Sequence, residues 1–378
     1  MLTGISFLFF LLTAYYLFFL YRVLNGLRKI ESQSVTPEES KEFITVIVPF
    51  RNEAGVILEN LKSLENQKYD ENLYEVLYVD DNSTDNSVNI LEKNIHSGNI
   101  KVLKFKNADG ERAYKKKAIE YAIKQSRGEI IITTDADCTH GKEWLPVMVS
   151  CFDDETGFVS GPVEFLRGEK LFDKLQSLEF AGLIITGAGL IGAGNPAICN
   201  AANLGFRKNV FFEVGGYSGN LNLSSGDDEF LMQKIHANTR YKIKFCADKK
   251  AKAFTKPNED FKSFYQQRKR WASKGLFYKN KRLVLSLVFI FMFYFFLLVS
   301  PFLALFYNPF FWMWFAVGIL SKMLIEYAVL KKGITMLYDE DLLRYFFVAE
   351  IFHVPYIVFA PLLGLRGNYI WKEREIKR

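Results

Sequence analysis

Apolar residues gather in four long stretches of the chain, and between the first and the second lies a region in which short apolar runs alternate with polar segments. The first stretch, residues 3–20, carries no charged residue. It is long enough to cross about 30 Å of hydrocarbon as a helix. The other stretches cover residues 283–307, 310–330 and 345–365. This pattern predicts an N-terminal anchor, a globular region and a C-terminal membrane region.

The globular region contains short runs rich in β-branched and aromatic residues, with segments of helical period between them. The predicted strands cover residues 43–50, 75–79, 100–105 and 129–133, and the predicted helices cover residues 56–64, 87–95 and 118–123. Strands that alternate with helices predict a mostly parallel sheet with helices on both faces. Ligands of such sheets bind beyond the carboxyl ends of the strands. Polar residues that follow these strands are therefore candidate site residues.

The chain of 378 residues is 49% hydrophobic and 24% charged, with a formal net charge of +6. An ordinary charged fraction beside an apolar excess agrees with a part-soluble, part-membrane protein. Basic residues flank the apolar stretches: Arg22, Arg28 and Lys29 follow the first, and Lys331 and Lys332 follow the third. This placement is typical of membrane flanks and does not indicate nucleic-acid binding. The four cysteines lack metal-site spacing, so we expect buried free thiols.

The first apolar stretch could be a cleaved signal peptide, but its positive charges follow the apolar run instead of preceding it. A retained anchor, with the N-terminus outside and the next domain inside, agrees better with the positive-inside rule. The predicted organisation is an anchor over 1–28, a linker over 29–42, a cytoplasmic domain over 43–282, and two or three transmembrane helices in 283–378. Four spans would leave the basic residues 372–378 outside, so one C-terminal stretch could be interfacial or re-entrant.

Two acidic motifs directly follow predicted strands. Residues 80–85 read Asp-Asp-Asn-Ser-Thr-Asp and follow the second strand, while Asp135 and Asp137 follow the fourth. Each motif alone could be a solvated or capped turn. Two carboxylates one residue apart would repel each other, so a divalent cation that bridges to a diphosphate is their natural partner. Ligation by oxygen alone suits Mg²⁺ or Mn²⁺.

Two further motifs lie towards the end of the globular region. Residues 224–231 read Ser-Ser-Gly-Asp-Asp-Glu-Phe-Leu, and their three acids open a helical pattern. The helix dipole favours acids there, and such a carboxylate can also accept a proton from an attacking hydroxyl. Residues 266–271 read Gln-Gln-Arg-Lys-Arg-Trp and alone would be a juxtamembrane basic helix. In the alternative, functional interpretation, Arg270 binds a pyrophosphate and Trp271 stacks on a sugar or nucleotide.

In this order, the four motifs resemble those of the family 2 inverting glycosyltransferases with a GT-A fold, in the membrane-bound branch of cellulose, hyaluronan and poly-N-acetylglucosamine synthases and ceramide glucosyltransferase. The resemblance covers about residues 43–275. It implies an α/β GT-A fold, a mostly parallel Rossmann-like sheet with helices on both faces, plus transmembrane helices. It also implies a metal-dependent hexosyltransferase that uses Mg²⁺ or Mn²⁺ and a nucleotide sugar, with UDP as the expected nucleotide.

The resemblance also implies roles for individual residues. Asp228 is the expected general base, and Asp227 stands where the family has Glu. Asp135 and Asp137 match the DxD pair, with Asp137 as the expected direct metal ligand. Residues 199–203 stand where relatives have a small-residue loop near the sugar. The substrate-binding residues that the resemblance implies are Pro49, Asn52 and Glu53 for the nucleotide, Asp81 for its base, Asp135, Lys116 from the lysines before the donor helix, and Gln267, Arg270 and Trp271 of the QxxRW motif.

The predicted function is that of a membrane-bound inverting glycosyltransferase in the bacterial inner membrane. It would move a sugar to a lipid-linked or glycan acceptor for cell-envelope glycolipid or polysaccharide synthesis. A processive polysaccharide synthase that exports its polymer is an alternative, although three C-terminal stretches would form only a thin channel. A catalytically inactive membrane scaffold is a third possibility, against which the intact acids of all three motifs argue.

Ionisable residues also interrupt the C-terminal apolar stretches. Glu326, Glu350 and His353 lie at membrane depth by sequence, where such groups are often functional. Glu350 and His353 would share one helical face and could pair. The interpretation that we favour from the sequence instead places them at the membrane interface on a tilted helix.

Overall fold

The computed structural model describes residues 2–31, 42–106, 114–219, 226–272, 277–364, 369–371 and 374–376. The predicted linker falls largely in residues 32–41, outside this part of the chain, as do Ser224 and Ser225 of the third motif. The described helices α1 to α12 run, in chain order, over Leu2–Glu31, Ile57–Glu65, Ser87–Asn94, Tyr114–Gln125, Trp144–Ser150, Leu171–Gly192, Lys208–Glu213, Glu229–Asn238, Phe261–Ala272, Lys281–Phe306, Phe311–Leu337 and Phe346–Gly364. The described strands β1 to β12 run over Ile44–Phe50, Tyr74–Asp81, Ile100–Phe105, Ile130–Thr133, Thr139–His140, Thr156–Ser160, Val163–Phe165, Leu204–Arg207, Lys242–Phe245, Ala253–Thr255, Tyr369–Trp371 and Arg374–Ile376.

A seven-stranded sheet forms the centre of the globular region, in the order β3-β2-β1-β4-β8-β6-β9. Strand β8 runs antiparallel to both of its neighbours, and the other pairs are parallel. The prediction of a mostly parallel α/β sheet is therefore confirmed. Strands β1 to β4 begin and end within two residues of the predicted strands. One detail of the prediction was wrong, because Asp80 and Asp81 are the last residues of β2 and not part of the loop after it.

Side chains of β1 alternate between two cores, as the two-residue period of a strand requires. Ile44, Val46 and Val48 pack with α2, α3 and α5 on one face, and Ile47 packs with α4 and α6 on the other. All seven residues of β1 are buried. A small sheet in the order β5-β10-β7 lies beside the main one. The four cysteines are buried thiols, as predicted.

Five described helices are long and apolar enough to cross a membrane by length and composition: α1, α6, α10, α11 and the segment Glu340–Ala360 around α12. Four of them correspond to the apolar stretches of the sequence. Helix α6 was not predicted, because Asp173, Lys174 and Glu179 interrupt its first half. Most exposed large apolar side chains of the described residues lie on α1, α10, α11 and α12. An apolar surface of this extent is usually covered by lipid or protein.

Helices α1 and α6 approach each other closely through glycines. A Cβ atom on Gly26 would overlap the carbonyl oxygen of Gly189, and one on Gly192 would overlap the carbonyl oxygen of Gly26. A Cβ atom on Gly189 would lie 2.5 Å from a methyl group of Val23. Small residues allow helix backbones to come together in this way in membranes. The contact fixes the N-terminal helix against an element of the globular region.

A cluster of ionisable and hydroxyl side chains joins α1, α10, α11 and α12. Lys322 is fully buried, and its Nζ contacts Glu350 and lies 3.0 Å from Glu326 Oε2. His353 Nδ1 lies 3.3 Å from the same Glu326 oxygen. The predicted pairing of Glu350 and His353 is confirmed, because His353 Nδ1 lies 3.6 Å from Glu350 Oε1 inside the bundle. Their position at the membrane interface stays a prediction. The buried charge cluster, as it is called below, consists of Tyr16, Tyr294, Lys322, Glu326, Glu350 and His353.

Replacement of Gly26 by Ala should destabilise the protein by about 1–3 kcal/mol, because the new methyl group forces α1 away from α6. Thermal unfolding in detergent measures this change. Gly4→Ala is the matched control, since it lies in the same helix and a Cβ atom there meets nothing within 4 Å. Equal unfolding temperatures for the two variants would contradict the close α1–α6 contact.

Lys322→Met should cost about 3–5 kcal/mol, because it leaves two buried carboxylates without their cation. Unfolding in detergent again gives the free energy. The control is Lys331→Met, an exposed lysine of the same helix, which should behave like the wild type. The double variant Lys322→Met/Glu350→Gln should recover part of the loss, and a double variant less stable than the single one would refute the pairing.

Candidate active site

A cavity of about 430 Å³ opens at the carboxyl ends of β1, β2 and β4. Three groups of residues that the sequence predicted as site residues line it. They are Pro49, Glu53, Asp81, Asp135 and Asp137 from the strand ends, Asp227 and Asp228 at the start of α8, and Gln267, Arg270 and Trp271 from α9. The topology thus brings together segments that lie more than 200 residues apart in the sequence.

Two predicted site residues lie outside the lining of this cavity. Asn52 has a backbone φ of 52°, accepts a hydrogen bond from the Thr84 amide at 2.8 Å, and donates its own amide to Ser83 at 3.1 Å. It therefore holds the loop after β2. Lys116 is 1% exposed, with its Nζ 5.9 Å from the centre of the Phe230 ring.

The lysine that reaches the cavity is Lys115. Its Nζ lies 2.6 Å from Asp135 Oδ1 and 3.3 Å from Asp227 Oδ2. Burial alone would lower the pKa of Lys115, but the charges of Asp135 and Asp227 outweigh it and raise the pKa above its usual value. Lys115 therefore stays protonated and ties the end of β4 to the start of α8.

Asp228 is held by two backbone amides. It is the N-cap of α8, its Oδ1 accepts the Glu229 amide at 2.8 Å, and its Oδ2 accepts the Ala201 amide at 3.2 Å. Ala201 belongs to the small-residue loop of residues 199–203, which also lines the cavity. Both oxygens of Asp228 are thus oriented by backbone hydrogen bonds, and its side chain is buried.

The third acid of this motif, Glu229, also faces the cavity. It accepts a hydrogen bond from the Tyr278 hydroxyl at 2.7 Å. Burial first, and then the charge of Glu229, raise the pKa of Tyr278. Neither Glu229 nor Tyr278 was predicted as a site residue, because their contact joins α8 to the segment before α10.

One wall of the cavity is apolar and belongs to α6. Phe180, Leu183 and Ile184 line the cavity from this helix. The Phe180 ring lies 6.0 Å from the ring of Trp271, centre to centre, in a stacked arrangement. The cavity therefore combines a polar end at the sheet with an apolar side at a helix that is long enough to span a membrane.

The carboxylates Asp135 and Asp137 would provide the donor set for the divalent cation that the resemblance implies. Both line the cavity at the end of β4. Hard oxygen ligands suit Mg²⁺ and Mn²⁺, and Mg²⁺ is commonly held by one or two carboxylates together with substrate phosphates. These residues therefore fit a cation that binds together with a diphosphate.

His140 contacts the residue that precedes the Asp135–Asp137 motif. Thr134, the residue before Asp135, donates its hydroxyl to the Ala202 carbonyl at 2.8 Å and lies 3.0 Å from His140 Nε2. Since the hydroxyl proton of Thr134 is used, His140 Nε2 donates to Thr134. Burial lowers the pKa of His140 to about 3. The imidazole is therefore neutral at physiological pH.

Comparison with known proteins agrees with this geometry. Residues 45–215 match the model for glycosyl transferase family 2. The chain is 28% identical over 214 residues to glycosyltransferase AglE of Haloferax volcanii, covering 54% of this chain and 65% of that protein. It is 34% identical over 117 residues to the beta-monoglucosyldiacylglycerol synthase of a Nostoc species, covering 31% of this chain and 25% of that one. The chain thus spans less than two thirds of either relative.

A solved structure shares the fold over nearly the whole chain. The mannosyltransferase PcManGT of Pyrobaculum calidifontis, solved with GDP-Man and Mn²⁺, superposes with a TM-score of 0.56 at 18% identity. The match covers 95% of this chain and 99% of that protein. The predicted GT-A fold is confirmed, and residues 45–215 match the model of the predicted family, whereas the branch that the sequence suggested stays a prediction.

The unfolding free energy should fall on acidification because of His140. Its pKa is about 3 in the folded protein and 6.5 ordinarily, so between these values the unfolded chain binds the extra proton. The contribution of neutral His140 to the unfolding free energy is therefore fully present above pH 6.5. It is lost as the pH falls towards 3, by about 1.4 kcal/mol per pH unit. Unfolding measured at several pH values should show a shallower slope in His140→Gln, while His96→Gln, an exposed control, should keep the wild-type slope. Parallel slopes in all three proteins would exclude this role.

Proposed function

Since residues 45–215 match the model for glycosyl transferase family 2, we propose that the chain is a membrane-bound inverting transferase that moves a sugar from a nucleoside diphosphate sugar to a hydroxyl group of a lipid acceptor. The observation that carries this proposal is the composition of the cavity. Carboxylates and Arg270 occupy its polar end, and the apolar face of α6 forms its side. The polar end suits a donor that carries a diphosphate, and the apolar side suits an acceptor with a hydrocarbon chain.

The donor would bind at the strand ends. Pro49 and Glu53 would contact the nucleotide and Asp81 its base, as the family resemblance implies, and all three line the cavity. Asp135 and Asp137 would hold Mg²⁺ or Mn²⁺, which supplies charge stabilisation for the diphosphate. The same cavity geometry favours Lys115 over Lys116 as the lysine near the donor, because Lys115 alone of the two lines it.

The chemical step would be a single displacement. The acceptor hydroxyl oxygen forms a bond to the anomeric carbon while the bond from that carbon to the diphosphate oxygen breaks. The hydroxyl proton goes to Asp228, and the electron pair leaves with the nucleoside diphosphate, which Arg270 stabilises electrostatically. Asp228 suits the role of base better than Asp227, since Asp227 is paired with Lys115 at 3.3 Å. The two amides on Asp228 fix its orientation toward the cavity.

The acceptor would reach the cavity along α6. Phe180, Leu183 and Ile184 would contact its apolar chain, and Trp271 would stack on the sugar. The relative from Nostoc is named for a glycolipid product, which supports a lipid acceptor. The basic residues after α1 support a catalytic domain on the cytoplasmic side of the membrane.

The test is transfer by the full chain, purified in detergent, from a panel of UDP and GDP sugars to extracted membrane lipids. Release of the nucleoside diphosphate and formation of a radiolabelled glycolipid are measured with Mg²⁺ or Mn²⁺. Asp228→Asn should reduce kcat by about 100-fold or more, because it removes the general base. Asp137→Ala should abolish the response to added metal.

Asp154→Asn is the control for these variants, since Asp154 is an exposed acid outside the cavity lining. It should transfer sugar at the wild-type rate. Full activity of Asp228→Asn would refute the assignment of the base. Long polymer in place of glycolipid would favour a processive synthase, and absence of transfer from every donor would overturn the proposed function.

A further inference from the structure

Arg268 lies inside the QxxRW motif, but its side chain does not line the cavity. It is 5% exposed. Its guanidinium carbon lies 4.3 Å from the centre of the Trp271 ring and 4.6 Å from that of Phe264. An arginine buried between two aromatic rings is stabilised by cation–π attraction and has few alternative positions. Arg268 therefore packs against the ring of Trp271, which lines the cavity, and limits the positions that this ring can take.

The same guanidinium also fixes Gln267. Its Nη1 donates to Gln267 Oε1 at 2.7 Å, and Asn258 Nδ2 donates to the same oxygen at 3.0 Å. An arginine can only donate hydrogen bonds, so the Gln267 atom that faces it has to be the carbonyl oxygen. The amide nitrogen of Gln267 is then the group that this side chain offers to the cavity, where it can donate to a ligand oxygen.

A carboxylate on α6 holds Arg268 in place. Glu179 Oε2 contacts Arg268 Nη2, and Glu179 Oε1 accepts a hydrogen bond from the Tyr356 hydroxyl at 2.9 Å. Glu179 belongs to α6, Arg268 to α9 and Tyr356 to α12. Three helices therefore meet at one ion pair, and two of them are long and apolar enough to span a membrane.

We propose that Arg268 is a positioning residue for the transfer reaction, which sets the amide orientation of Gln267 and the ring plane of Trp271. Arg268 also contacts Glu179, which binds Tyr356. The positions of Gln267 and Trp271 therefore depend on the packing of α6 and α12. The inference rests on the proposed function, because it assumes that Gln267 and Trp271 contact the substrates. Arg268 itself touches no substrate in this arrangement.

Arg268→Lys tests the proposal, since it keeps the charge but lacks the planar group that stacks on Trp271 and contacts Gln267 and Glu179 together. With the full-length protein, kcat/KM should fall by about 10- to 100-fold, because small misplacements of binding groups are costly. Lys262→Gln, an exposed lysine of the same helix, should leave kcat/KM unchanged. Wild-type kinetics in folded Arg268→Lys would overturn the inference.

A double-mutant cycle separates positioning from a general structural effect. Arg268→Lys should reduce kcat/KM by a much smaller factor in the Gln267→Ala background than in the wild type, because its action runs partly through Gln267. Equal factors in both backgrounds would mean that Arg268 acts independently of Gln267 and would overturn the proposal. Absence of transfer by the wild type would instead refute the proposed function.

Should Arg268→Lys fail to fold, Glu179→Gln provides the same test. It keeps one acceptor oxygen where Glu179 offers two, one to Arg268 and one to Tyr356, and it removes the charge that holds the guanidinium. We expect a smaller loss in kcat/KM, of about 3- to 10-fold, again reduced in the Gln267→Ala background. A Glu179→Gln enzyme with wild-type kinetics would overturn the inference.

Discussion

The close approach of α1 and α6 is the constraint on which the position of the cavity depends. Their backbones meet at Gly26, Gly189 and Gly192, where no side chain fits between them. Helix α6 also packs against β7 and β9 of the globular region and supplies one wall of the cavity. Because one helix performs both tasks, the N-terminal helix and the site have a fixed relation. A site in a domain joined to its anchor only by a linker would lack this relation.

The other side of the cavity is fixed by the sheet and by charge. Lys115 lies between Asp135, at the end of β4, and Asp227, at the start of α8. Without a cation at this point, the carboxylates of the two motifs would repel each other in a partly buried space. Lys115 therefore allows the acids to converge even before a metal binds. The cavity of about 430 Å³ thus has two kinds of lining. The sheet and Lys115 hold the polar residues, and helix α6 supplies the apolar wall.

The sequence predicted the parts of this arrangement that follow from the spacing of apolar residues within single strands and helices. Strand residues are apolar in runs, and acids that follow parallel strands meet at one edge, so Asp81, Asp135 and Asp137 could be expected together. Helical period could not separate Lys115 from Lys116, since both precede buried positions of α4 by three or four residues. The choice depends on Asp227, more than 100 residues later. Helix α6 escaped prediction because its charged first turns mask the apolar second half.

The buried charge cluster shows why partners at long range are hard to predict from a single sequence. Lys322 and Glu326 lie four residues apart in α11, but Tyr16 comes from α1 and Glu350 from α12. A lone carboxylate on an apolar helix is expensive to bury, so the interface is the reasonable place for it until a partner is known. In the bundle, the ammonium of Lys322 contacts Glu326 and Glu350 and offsets part of that cost. These contacts join α1, α10, α11 and α12, and they therefore contribute to how the four helices pack.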